Sequence, residues 1–226
     1  NSAPIQWAEL FSAGLSTVSI AAAGAGLALL FSIPLGALVA QGSSRFALFS
    51  EKAVLISHAL PGVVIGLALV SLGSKLGPLY QSVALLAFAY AILFLAKSVA
   101  AMNYSLQLIS PSVKEAAATL GKSKGEIART ITFPIAFPSI ALGTLLVFLT
   151  AMKELPATLM LRPIGMETLA TQVWSYAAVS KFNEAAPYAL LLIIIAAVPT
   201  FLLSLPREAL DRPRNSVRDL QLGESR

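Results

Sequence analysis

The chain has no cysteine and a single histidine among 226 residues. Disulfides, thiolate metal sites and cysteine nucleophiles are excluded together, and one histidine cannot supply a histidine pair or a metal cluster. Charge is also scarce, at 12% of residues, against roughly 25% in an ordinary soluble domain. The apolar runs show no period-2 alternation, which excludes barrel strands. No long repeat or low-complexity tract interrupts them. What the chain has in quantity is hydrophobic residues, 57% of the total, giving a mean hydropathy of +0.78. This composition defines an integral membrane protein whose length is best counted in spans of about 20 residues.

Five apolar runs read as membrane helices, because a lipid-exposed backbone must satisfy its hydrogen bonds within its own segment. They cover about 13–40, 53–72, 79–102, 138–161 with a break, and 185–205, followed by an arginine-rich tail, 206–226. The first run is too long for a signal-peptide core and the chain begins at Asn1, not Met, so a processed product or a piece of a longer polypeptide is expected. Five spans place the termini on opposite sides. Twelve of the sixteen basic residues (Arg45, Lys52, Lys97, Lys114, Lys122, Lys124, Arg129, Arg207, Arg212, Arg214, Arg218 and Arg226) fall on one side, and Lys75, Lys153, Arg162 and Lys181 on the other. The positive-inside bias predicts a cytoplasmic C-terminus and an external N-terminus. The net charge of +5 is then a matter of topology and of anionic membrane lipids, with no nucleic acid required.

The loop 110–134 between the third and fourth runs is the most informative segment. Ser110-Pro111 offers an N-cap with proline at the first helical position; alternatively Ser112 caps with Glu115 as a capping box. The helix passes through Val113, Ala116, Ala117 and Leu120 and meets Gly121, suited to the left-handed conformation that closes a helix. Ser123-Lys124-Gly125-Glu126 is a second capping box, opening a helix through Ile127, Ala128 and Ile131 that is expected to stop near Pro134. Small alanines would allow close approach of another surface, while the lysines stay solvated. Three readings stand: a tether between spans, a DNA-binding helix-turn-helix, and a platform for a cytoplasmic ATPase. The second lacks room for its supporting helix, since both ends are tied to spans. Gly121-Lys122-Ser123 is no phosphate-binding loop, because Ala116 stands where that loop needs glycine. No nucleotide, cofactor or metal site is therefore expected on this chain, nor any catalytic residue, and energy must come from another polypeptide.

The loop resembles the signature of permease subunits of binding-protein-dependent ABC importers: Glu-Ala-Ala, three residues, Gly, nine residues, Ile, any residue, Leu, Pro. Glu115, Ala116, Ala117, Gly121, Ile131 and Pro134 match, with Phe133 in place of leucine. The resemblance implies an all-α, type I importer permease core of about five spans in a bacterial inner membrane. It also implies that this loop forms coupling helices seated on the ATPase. The partners it implies are two ATPase subunits using ATP and Mg, a second permease half (fused or homodimeric) and an external substrate-binding protein. Glu154-Leu155-Pro156-Ala157-Thr158-Leu159, Arg162-Pro163 and Thr168-Leu169-Ala170-Thr171 further resemble the C-terminal half of ferric-iron permeases. Thiamine, polyamine, sulfate and molybdate permeases share the coupling loop. A receptor or scaffold that recruits a non-motor protein is the alternative from another class.

Intramembrane polar residues are candidates for the transport path. His58 lies in the second run, where it either packs or serves permeation, and Pro61-Gly62 are expected to kink that helix. Lys153 and Glu154 interrupt the fourth run about 22 Å from Pro138 at 1.5 Å per residue. Either Glu154 lines the outer part of the path, or the span ends there and Lys153 reaches the interface. Ala22 and Gly26 suit close helix packing. Trp174 and Tyr176 suit a short helix at the membrane surface. Arg162, Glu167, Lys181 and Glu184 either dock the binding protein or are merely solvated.

Overall fold

The structure, a computed structural model, describes residues 6–40, 52, 56 and 59–204. His58, the tail 206–226 and most of the run before Pro61 lie outside the described residues. Everything regular among the described residues is helical: α1 Trp7–Ala40, α2 Gly62–Gly73, α3 Val83–Gln107, α4 Pro111–Thr119, α5 Lys124–Ile127, α6 Phe133–Ala151, α7 Pro156–Leu161, α8 Leu169–Ala178 and α9 Phe182–Ser204. Helices α1, α3, α9 and the continuous stretch Lys124–Ala151 are long and apolar enough to cross a membrane, and α2 is a shorter apolar helix. The four long helices correspond to four of the five expected runs, with shifted ends, and α2 covers the end of the second run, most of whose earlier part lies outside the described residues. The third span starts at Val83, not near 79, because Gly77–Leu79 form a 3-10 turn and the Ser82 hydroxyl caps the helix by accepting from the Leu85 N–H at 3.1 Å.

Helix α3 is the axis of the molecule. Half of its most apolar window is buried, against 11% for the windows of Lys124–Ala151 and of α9, and it packs against α1, α2, α6 and α7. The core joins Ile20, Ala21, Ala25 and Ala28 of α1 to Leu85, Leu86, Ala89 and Tyr90 of α3 and Val147 and Ala151 of α6. Without a hydrophobic drive between helices in lipid, such packing relies on small residues that let backbones approach. Gly24 sits against Tyr90, where an added Cβ would fall 2.5 Å from the tyrosine Cβ, and Gly143 against Ala101 in the same manner. The face differs from the expected one. Ala22 is exposed and Gly26 has nothing within 4 Å of its Cβ position. The residues around them are nearly all small, so size alone could not select which face of α1 meets α3.

The second run breaks at Pro61. Ala59 is helical, Leu60 lies in a bend, Pro61 is extended (φ −61°, ψ 143°) and α2 begins at Gly62. The expected kink is thus a break in the helix, since the proline ring disfavours helical backbone in the residue before it. The second helix of the 110–134 loop does not stop at Pro134 as expected. It passes into α6 through a π turn, Ala128–Thr132, whose last bond runs from the Phe133 N–H to the Ala128 carbonyl. The wider turn makes room for a proline ring that would clash in a regular helix.

Candidate functional site

The 110–134 loop forms an arm of two short helices beyond the ends of α3 and α6. Pro111 occupies the first turn of α4 after Ser110, whose side chain makes no capping bond; its hydroxyl instead shares a 2.6 Å hydrogen bond with Ser112. Of the two alternatives, the Ser110-Pro111 start is the one formed. At the other end, Gly121 has φ +82°, the Lys122 N–H donates to the Ala117 carbonyl at 3.2 Å and the Gly121 N–H to the Ala118 carbonyl at 3.0 Å. This is a complete Schellman closure, which requires a left-handed residue at Gly121. The capping box at Ser123 and Glu126 is formed in both directions. The arm is therefore an element of fixed shape, held by its own backbone.

Its surface is set by that shape. Ala117 on the first helix and Ile127 on the second are buried, and the two helices contact each other. A cleft of about 340 Å³ between them is lined by Lys114, Glu115, Ala118, Lys124, Ile127 and Thr132. Glu115 and Ala116 are exposed, Ile131 is half-buried and Pro134 is exposed at the start of α6. Ala117 thus serves the internal contact, leaving Ala116 and Ala118 to face outward. Leu120, at the elbow, is 82% exposed. No other part of the arm leaves an apolar side chain so fully uncovered.

The second set of predicted residues lies where the fourth span breaks. Helix α6 stops at Ala151, Lys153 is exposed and Glu154 is half-buried. The Glu154 carboxylate accepts from the Ala157 N–H at 3.0 Å, capping α7. Its Oε1 lies 3.0 Å from the Cβ position of Gly62, the first residue of α2. The Glu154 carbonyl accepts from the Thr158 hydroxyl at 2.7 Å, and the Tyr90 hydroxyl, 3.5 Å from that carbonyl, donates to the Thr158 oxygen at 2.5 Å. Tyr90 is seven residues into α3, about 10 Å along its axis. Glu154 therefore sits well inside the length of α3, at the start of two helices whose N-terminal dipoles favour a carboxylate. Sequence reasoning missed Tyr90 and Thr158; a tyrosine in an apolar run gives no sign of its partner 68 residues away.

At the same end of the bundle, Arg162 and Glu167 form an ion pair. The guanidinium also donates to the Met166 carbonyl at 2.7 Å, and Glu167 accepts from the Thr171 hydroxyl at 2.9 Å. Helix α8 begins with a Thr168–Thr171 capping box and is tied to α1 by the Leu169 N–H, which donates to the Thr17 hydroxyl at 2.8 Å. Trp174 is exposed on α8, and the Tyr176 ring lies 5.6 Å from Tyr188 of α9. Lys181 is exposed and Glu184 half-buried. The structure thus joins Arg162 to Glu167 and leaves the other two charges apart from them.

Helices of membrane-crossing length and apolarity around one central helix, a break after α6 and a self-capped arm between α3 and α6 define a multi-pass membrane protein. The chain belongs to the family of binding-protein-dependent transport system inner membrane components, whose profile matches residues 32–215. It is 32% identical over 198 residues to the Fe(3+)-transport system permease protein FbpB 2 of Haemophilus influenzae, an alignment covering 87% of this chain and 39% of that protein. This chain therefore spans about two-fifths of the length of that relative. It is 28% identical to the molybdenum transport system permease protein ModB of Mycobacterium bovis, over 81% of this chain and 75% of that protein. The fold is shared with a chain of the MetNI methionine ABC transporter in inward-facing conformations, at a TM-score of 0.72 and 15% identity, covering 85% of this chain and 92% of that one.

Proposed function

We propose that this chain is the permease subunit of an ATP-driven importer. It takes a small substrate, ferric iron in the first reading, from an external binding protein and releases it into the cytoplasm by alternating access. The observation that carries the reading is the arm: a Schellman-closed helix and a boxed helix, rigid in themselves and joined without a break to α6, with Leu120 and Glu115 presented outward. Such an arm can act as a lever for two ATPase subunits, which need only bind the two arrangements of the permease with different free energy. Basic residues on the arm (Lys114, Lys122, Lys124 and Arg129) support a cytoplasmic location, with the N-terminus outside. A second permease half, fused or identical, would complete the path. Lys153 and Glu154 belong to its outer part in this reading, and Arg162, Glu167, Lys181 and Glu184 to the face that meets the binding protein.

Ferric iron is supported by the Haemophilus relative, whose alignment covers the greater share of this chain. The mycobacterial relative supports molybdate as the second reading. The test is ATP-driven uptake into proteoliposomes holding the permease, its ATPase and its binding protein, with labelled ferric iron and labelled molybdate as probes. Uptake of iron alone is expected. Uptake of molybdate alone would replace the substrate, and ATP hydrolysis unaffected by the binding protein would remove the importer reading.

A further inference from the structure

Lys97 belongs to none of the groups described so far. Counted from the sequence with the basic side of the membrane, it lies instead inside α3, fourteen residues after Val83 and ten before Gln107, about 21 Å and 15 Å from the two ends. A charge at that depth is costly unless it meets protein or water. The usual escape, a lysine stem reaching for the nearer headgroups, would send the ammonium toward the C-terminal end of the helix. Here it goes the other way. Its Nζ stands 5.5 Å from the ring centroid of Phe94, three residues back, as helical side chains tend to point. The residue is nonetheless exposed, and the sole ion pair among the described residues is Arg162–Glu167. Glu154 does not pair with it: its carboxylate accepts from the Ala157 N–H at the start of α7, and no ion pair joins it to Lys97.

The uncovered stripe that carries Lys97 is mixed in its lower half, with Ala100 and Leu108 exposed among polar residues. Tyr104, two turns on, is 63% exposed, and Gln107 is exposed and bonded to Asn103 at 3.4 Å. The uncovered side of α9 is of a different kind, with Leu190, Ile193, Ile194 and Val198 exposed, as a lipid-facing helix requires. A wholly apolar exposed face and one that carries a lysine, a tyrosine and a glutamine on one bundle mean two different surroundings.

We propose that the Lys97–Tyr104 stripe of the central helix lines the water-filled inner half of the transport path, and that Lys97 sets its charge preference, so the cargo crosses as an anion. That chemistry fits a free oxyanion, or ferric iron only when its ligands leave the complex negative. The proposal rests on the importer reading but is tested apart from it. A fixed cation facing a low-dielectric wall raises the local concentration of anions and repels a bare cation.

These 226 residues carry no cysteine, so an introduced thiol reports its own position once any thiols elsewhere in the transporter are replaced. In the complete transporter, Tyr104→Cys is exposed to a small anionic and a small cationic methanethiosulfonate reagent, with Ile193→Cys as the lipid-facing control. Tyr104→Cys is expected to react at least about tenfold faster than the control, and to favour the anionic reagent about fivefold relative to a free thiol. Adding Lys97→Gln should abolish that preference, and Lys97→Arg should keep it. Tyr104→Cys as unreactive as Ile193→Cys, or a preference indifferent to Lys97→Gln, would overturn the proposal. Uptake of labelled molybdate and of ferric citrate separates the two cargo sources: whichever the wild type carries should fall about tenfold in Lys97→Gln and recover in Lys97→Arg. Undiminished uptake in Lys97→Gln also overturns it. A wild type without binding-protein-stimulated hydrolysis defeats the importer reading instead, while the labelling still reads the charge of the stripe.

Discussion

Gly121 and Glu154 show how differently single residues announce themselves. Gly121 was legible because helix closure is local: a small-residue helix, a glycine and a following capping box specify the φ of +82° without help from the rest of the chain. Gly121→Val would force a β-branched residue into the left-handed region, where even an ordinary residue costs about 1–2 kcal/mol. The expected outcome is a protein that still reaches the membrane but no longer co-purifies with its ATPase or stimulates hydrolysis; normal values of both would refute the docking assignment. Glu154 was legible only as an anomaly, and its cap on α7 emerged from the folded chain. Glu154→Gln retains a carbonyl for the Ala157 N–H and loses the charge. Uptake should therefore fall while thermal stability holds, whereas Glu154→Ala should also lose about 1 kcal/mol of capping. Unchanged uptake in Glu154→Gln would remove it from the path. Lys97 falls inside the third expected run and counts with the basic side; what the sequence does not show is that its ammonium turns back along the helix to Phe94.

At the scale of elements, cap and turn signals held because their chemistry lies within four or five residues. The capping box of α5 is one such signal, and Ser123→Ala should cost about 1 kcal/mol; faster hydrogen exchange at the Gly125–Ile127 amides would register it. Where the expectation failed, a longer-range accommodation intervened. Pro134 read as a stop, yet the π turn at Ala128–Thr132 absorbs it and keeps the arm continuous with α6. A lever needs that continuity. The packing face of α1 was not legible either, because small residues surround the helix at Ala21–Gly26 and their spacing cannot choose a partner. Structure separates them. Gly143→Leu, pressed against Ala101, should lower stability by about 1–3 kcal/mol through overpacking, while Gly26→Leu, with open space at its Cβ position, should leave the melting temperature in detergent unchanged.

For the whole molecule, the helical class and the position of the arm followed from hydropathy, since the membrane leaves a backbone few alternatives; four of the five expected runs are helices of crossing length among the described residues. Arrangement did not follow, because nothing in the sequence marks α3 as the axis or pairs Tyr90 with Thr158. The account's central claim is that the arm is a cytoplasmic surface for an ATPase, and the cysteine-free chain allows one measurement of both parts. Leu120→Cys, at the exposed elbow, is labelled with a membrane-impermeant thiol reagent in right-side-out and inside-out vesicles, with and without the ATPase. The account predicts labelling only in inside-out vesicles, suppressed when the ATPase is bound. Labelling from the outer side, or labelling indifferent to the ATPase, would contradict it.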